Sequence, residues 1–174
     1  MGQSGDSIDI TKKELTSFLN SFYEADPFLK KLRFINTPDT PLRLSFIKRL
    51  NAKHKIFSEN DFIILERQIS KFTQVTFDSS YISNAHFMDN KEFLNIFSDN
   101  VNKDARRDPW DIFHSNYGIG YCFLSFPLFE KQKGFCILYV QYSIGWMGGS
   151  GEVRIYQKRN NNWKLYKTIP VWDS

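Results

Sequence analysis

The sequence predicts an α+β fold, with N-terminal helices packed on one face of a C-terminal antiparallel β-meander of about four strands. Three observations predict it. Apolar residues recur at helical spacing in several segments before residue 118 and at strand spacing after 119. The segments of the second part are joined by turns short enough for hairpins. Aromatic residues make up 17% of the 174 positions, and side chains of that size supply the buried area a core needs. The chain reads as a flexible polar tail, residues 1–10, followed by one domain, residues 11–174.

Thr11-Lys12-Lys13-Glu14 is a capping box, and Leu15, Phe18, Leu19 and Phe22 form one apolar stripe behind it. Asp26-Pro27 ends that helix, because a residue before proline is pushed out of the α region. Thr37 to Pro41 has turn chemistry. Leu42 to Phe46 alternates like a short strand, although Phe46, Ile47 and Leu50 also suit a helix; the strand or irregular reading is preferred. Ser58 caps a helix with Glu59 and Asp61 in its first turn and Phe62, Leu65, Ile69 and Phe72 on its buried face. A short strand is expected around Gln74 to Phe77. Asp89-Asn90-Lys91-Glu92 repeats the capping-box pattern ahead of Phe93, Leu94, Ile96 and Phe97. After a polar linker from Asp104, Asp108-Pro109 opens a last helix that carries Trp110, Phe113 and Tyr117 inward and ends at Gly118 as a left-handed cap.

Tyr121–Phe129, Gly134–Ser143, Glu152–Gln157 and Trp163–Ile169 then read as strands, joined by turns at Glu130–Lys133, Gly145–Gly151 and Lys158–Asn162. The middle turn, Gly145-Trp146-Met147-Gly148-Gly149-Ser150-Gly151, is expected as a wide loop. Its four glycines permit positive φ or close approach of another segment. With Phe129 opposite Gly134, Cys122 and Cys136 fall on opposite faces of the sheet, and after a one-residue slip they share a face but stay too far apart to bridge. Both read as small buried apolar side chains.

The net charge of +4 is mild, but Phe28 to Phe57 holds eight basic residues against one acid, leaving −3 for the remainder. Within it Lys48, Arg49, Lys53 and Lys55 are candidates for holding an anion or nucleic acid, set against the plainer reading of a solvated basic face. No apolar run reaches the roughly 18 residues of a membrane-spanning helix. Met1 to Asp6 has no apolar signal core and lacks the myristoylation pattern, which fits a mature terminus trimmed of an export signal.

Pro109-Trp110-Asp111-Ile112-Phe113, Tyr117-Gly118, Phe126-Pro127-Leu128-Phe129, the glycine turn and Asn162-Trp163-Lys164-Leu165 resemble a family of uncharacterised exported proteins of the Bacteroidetes, over about residues 108–174. The resemblance implies a periplasmic or surface-attached location, with the cytoplasm as the alternative, and no known activity. Such proteins often place cysteines beside the glycines of this turn. Ile144 and Met147 stand there in this chain, which favours a packed turn over a redox role.

Catalytic signatures are absent from the sequence. A phosphate loop at Gly145–Gly151 fails because Glu152 opens a strand rather than a helix, with no lysine in place. His54, His86 and His114 lack metal-site spacing, so no metal and no cofactor are expected. His114 and Asp111, three residues apart, are the most plausible single acid–base pair for a hydrolase centre. The reading preferred from sequence is therefore a non-enzymatic exported module. Its binding residues would be Gly145, Trp146, Met147, Gly148, Gly149, Trp163 and Trp172, its partner another protein or an envelope component. A toxin-neutralising immunity protein is a variant of this reading, and nucleic acid ranks low among partners.

Overall fold

The computed structural model describes residues 10–37, 42–72, 75–98, 108–130 and 134–174. In chain order these form α1 (Lys12–Ala25), a 3-10 turn (Leu29–Lys31), β1 (Arg33–Ile35), α2 (Leu44–His54), α3 (Glu59–Phe72), β2 (His86–Met88), α4 (Asn90–Phe97) and α5 (Pro109–Tyr117). The chain continues through β3 (Tyr121–Leu124), β4 (Leu128–Glu130), β5 (Phe135–Gly145), β6 (Gly148–Arg159) and β7 (Asn162–Asp173). Residues 1–9 of the expected tail, 38–41 of the first turn, Gln74, 104–107 of the linker and 131–133 of the first hairpin turn lie outside the described residues. The class is α+β, with a mostly antiparallel mixed sheet of seven strands in place of about four.

The strand order is β2-β1-β3-β5-β6-β7, with β4 paired to β5 beyond the end of β3. β1 and β2 were not expected. β1 adds to β3 in parallel, Arg33 opposite Tyr121, and β2 adds to β1 in parallel, Phe34 opposite Phe87; three residues are too few to show a period. The expected strand at Gln74–Phe77 is absent where residues are described: Val75–Phe77 is irregular, tied in where the Phe77 N–H donates to the Asn36 carbonyl.

Helices cover both faces of the sheet, not one. β5 explains this, because Cys136, Leu138 and Val140 are buried toward α1 while Ile137 and Tyr139 are buried toward α2 and α3. A strand apolar on both sides demands two covers. Toward α1, Phe18 meets Phe129, Tyr156 and Trp163 edge to face at 5.2–5.5 Å, contacts worth about 0.5–1.5 kcal/mol each beyond area burial. α4 and α5 form a third cluster with Ile35, Met88, Tyr121 and Phe123, on the same side as α2 and α3 but farther along the sheet.

Several local expectations are corrected. Leu42–Phe46 is not a strand: α2 starts at Leu44, and helical spacing wins because it puts Ile47 fully inside with Phe46 and Leu50 against the same cluster. Tyr121–Phe129 is two strands. Leu124 pairs with Val140 and Leu128 with Ile137, so one extra residue is accommodated around Ser125–Pro127, where proline has no N–H for the ladder. Ser125 fills the gap, its N–H donating to the Tyr139 carbonyl and its Oγ accepting from the Tyr139 N–H. The same shift puts Cys122 and Cys136 on one face, the α1 face. Cys122 lies opposite Tyr142, six residues from Cys136 along β5, and both thiols are free, with burial raising their pKa.

The caps hold with variations. Thr11 and Glu14 complete the expected box. Ser58 instead donates through N–H and Oγ to Asp61 Oδ2, and Glu92 accepts from the Tyr117 hydroxyl rather than closing a box on Asp89. Gly118 is not in the left-handed helical region. Its φ of 111° and ψ of −158° are open essentially to glycine alone.

Candidate functional site

The glycine turn is tight, not wide. β5 runs to Gly145 and β6 starts at Gly148, so only Trp146 and Met147 lie between the paired residues. None of Gly145, Gly148, Gly149 and Gly151 has a positive φ, and neither does Trp146 or Met147. Two-residue hairpins normally use positive φ to match strand twist; here an irregularity between Ser143 and Gly145 takes up the mismatch.

Close approach is what Gly149 and Gly151 serve. A Cβ on Gly151 would lie 2.1 Å from Trp172 Nε1 and 2.4 Å from the Tyr139 hydroxyl, and one on Gly149 would lie 3.3 Å from the Trp172 ring. Trp172, opposite Gly151 on β7, thus lies across a bare glycine floor and donates its indole N–H to the Tyr139 hydroxyl at 2.9 Å. That hydroxyl donates in turn to Gln141 Oε1.

Above this floor the turn is fastened to α5. The Trp146 indole N–H donates to both carboxylate oxygens of Asp108, at 2.9 and 3.1 Å. Asp108 Oδ1 also accepts from the Trp110 N–H as the cap of α5. One turn along, His114 Nε2–H donates to the Ile144 carbonyl at 3.2 Å, with its ring against Trp110. Trp146 is therefore oriented although its surface is 66% exposed, and Met147 is 88% exposed. Ile119, Ile144 and Val171, also exposed, come from segments that end beside the turn. A side chain on Gly120 would strike Ile144, which places Ile119 next to it, and β7 brings Val171 alongside Trp172.

The structure thus joins Gly145, Trp146, Met147, Gly148, Gly149 and Trp172 at one end of the sheet. Trp163 is not with them. It pairs with Lys158 near the other end of β6, roughly 30 Å away along the strand, and on the α1 face it packs against Phe18 and Phe129. Asp108, Ile119, Ile144 and Val171 were missed by sequence reasoning. Asp108 signals only a helix cap, and nothing in the sequence relates it to a tryptophan 38 positions away.

His114 and Asp111 share α5 but are not bonded to each other; both are exposed, and His114 is engaged with Ile144. Two cavities of about 260 and 300 Å³ lie on the α1 side, around Trp163, and neither is lined by this pair. The larger holds Arg154, ion-paired to Asp26 at 3.0 Å and to Glu152. Burial is the largest single influence and opposes that charge, but the bonds and charges of Glu152 and Tyr156 together outweigh it and keep the pKa of Arg154 raised. Among the described residues no group of three or more His, Cys, Asp or Glu could hold a metal, and no helix is long and apolar enough to cross a membrane. Of the basic candidates, Lys48 lies over the Phe62 ring and Arg49 over that of Phe46, while Lys53 and Lys55 stand exposed at the end of α2. Compared with protein-family models, curated proteins and solved structures, the chain matches none.

Proposed function

We propose that this chain is a non-enzymatic module that binds another protein through the end of the β5–β6 hairpin, at an exported or envelope location. The observation that carries the reading is Trp146: a large aromatic surface, two-thirds exposed, held in one orientation by its bond to Asp108. Side chains ordered before binding lose little entropy on association, and tryptophan is the residue most enriched among interface anchors. Met147, beside it in the turn, and Ile144, one residue before the turn, add exposed apolar surface at the same hairpin end. The glycine floor and Trp172 serve as its rigid base.

The test is site-specific photo-crosslinking from position 147 in the native host. The expected result is one protein adduct that disappears in Trp146→Ala while thermal unfolding of the variant stays near that of the parent. Adducts unchanged by Trp146→Ala, or their absence, would remove the reading.

A further inference from the structure

We propose that the larger cavity on the α1 side is a second binding site, for a primary ammonium group carried on an aromatic ring or apolar chain. It lies between α1 and strands β6 and β7, and its volume of about 300 Å³ is at the lower end of the range for small-ligand pockets. Phe18 and Phe22 of α1, Tyr156 of β6, and Trp163 and Leu165 of β7 supply an apolar wall. Leu165 is 54% exposed, so the cavity meets solvent along the edge strand of the sheet. Trp163, which stands apart from the hairpin end, has its place here.

The polar side of the cavity decides the charge of the ligand. Asp26, Glu152 and Arg154 line it together, each with a quarter or less of its side chain exposed. Arg154 donates from Nη1 to Asp26 Oδ2 at 3.0 Å and from Nε to Glu152 Oε1, and its guanidinium lies over the Phe22 ring. Among the described residues no other cation pairs with either acid. Two carboxylates and one guanidinium leave one net negative charge, held away from bulk water, where an uncompensated charge is costly. A purely structural ion pair needs only one acid. A bound ammonium supplies the missing charge, and Glu152 Oε2, which has no hydrogen-bond partner among the described residues, is the acceptor for it.

The acids are also fixed before any ligand arrives. Asp26 Oδ1 accepts from the Phe28 N–H just past the end of α1, and Glu152 stands opposite Pro170 in the β6–β7 ladder. Groups ordered beforehand lose little entropy on binding. An anion fits the cavity poorly: it would meet the excess negative charge, and Arg154 already spends Nε and Nη1 on the two acids.

The experiment is an NMR titration of the full chain, followed at the Trp163 indole N–H, with three probes that share a phenyl ring and an ethylene linker: phenethylamine, 2-phenylethanol and 3-phenylpropanoate. Phenethylamine is expected to shift this resonance saturably, with an affinity about tenfold or more above that of the alcohol, as gain of one charge-assisted bond implies, and the carboxylate is expected not to bind. Glu152→Gln is expected to bring the amine down to the affinity of the alcohol. Glu66→Gln, which removes an exposed acid from α3, is expected to leave it unchanged. Equal affinities of amine and alcohol, tighter binding of the carboxylate, a shift that stays linear in the amine, or equal weakening by Glu66→Gln overturns the site. If Glu152→Gln does not fold, the ranking of the three probes on the parent chain still decides.

Discussion

The two long hairpins of the sheet share β6 and solve the same geometric problem with opposite chemistry. At the β6–β7 turn, Asn160 (φ 49°) and Asn161 (φ 61°) adopt the left-handed conformation that matches strand twist, and both are polar and exposed. At the β5–β6 turn, Trp146 and Met147 have neither turn propensity nor polarity, and the strand register is irregular beside them. The β6–β7 turn obeys local rules, and the register shifts of its ladder, at Gly151/Glu152 and Ile155/Tyr156, lie away from the turn. The β5–β6 turn breaks those rules where a large apolar surface is held out to solvent, and sites that violate local consistency are where function is expected to reside. The difference teaches that glycines in a hairpin need not serve the turn. Here Gly149 and Gly151 serve the strand opposite, by leaving room for the Trp172 ring.

The largest expected effect tests that last point. Gly151→Ala forces a methyl group into space held by Trp172 and the Tyr139 hydroxyl, and is expected to destabilise by about 2–3 kcal/mol, read from the midpoint of chemical denaturation. Gly145→Ala, where an added Cβ meets nothing within 4 Å, is expected to stay within about 0.5 kcal/mol. Equal effects would mean that the glycines act through the turn after all.

The polar hairpin comes next. Asn161→Val places a β-branched residue at a φ of 61° and is expected to cost about 1–2 kcal/mol. Asn161→Gly is expected to cost little, because glycine adopts that conformation freely. A Val variant as stable as the parent would show that this turn is not held by its dihedral angles.

How much of this was legible follows from the range of each signal. Thr11 with Glu14, Asp108 with Pro109, and the ladder from Phe135 onward are local patterns, and the sequence displays them. β1 and β2 are three residues each and form by pairing outward from the edge of β3, β1 on β3 and β2 on β1. The second helical layer was visible in principle in the unbroken apolar run from Phe135 to Val140, which alternation cannot produce. At the candidate site, the glycines marked the place but misled on the reason. A bond such as Trp146 to Asp108 joins a turn to a helix cap and leaves no trace in spacing.

A small effect on stability is also expected at the exposed hairpin tip, and it separates folding from binding most cleanly. Trp146→Ala removes an exposed ring and one charge-assisted bond, so its cost should stay under about 1 kcal/mol. Asp108→Asn keeps the cap of α5, since asparagine caps as well as aspartate, but weakens the bond that orients the indole. If orientation of Trp146 matters for partner binding, Asp108→Asn should lower the affinity of the crosslinked partner while the melting temperature hardly moves. Asp108→Ala should lower both, with a loss of stability of about 1 kcal/mol from the missing cap. Affinity that follows the melting temperature across all three variants would instead make Trp146 a packing residue, and the contrast between the two hairpins would lose its functional meaning.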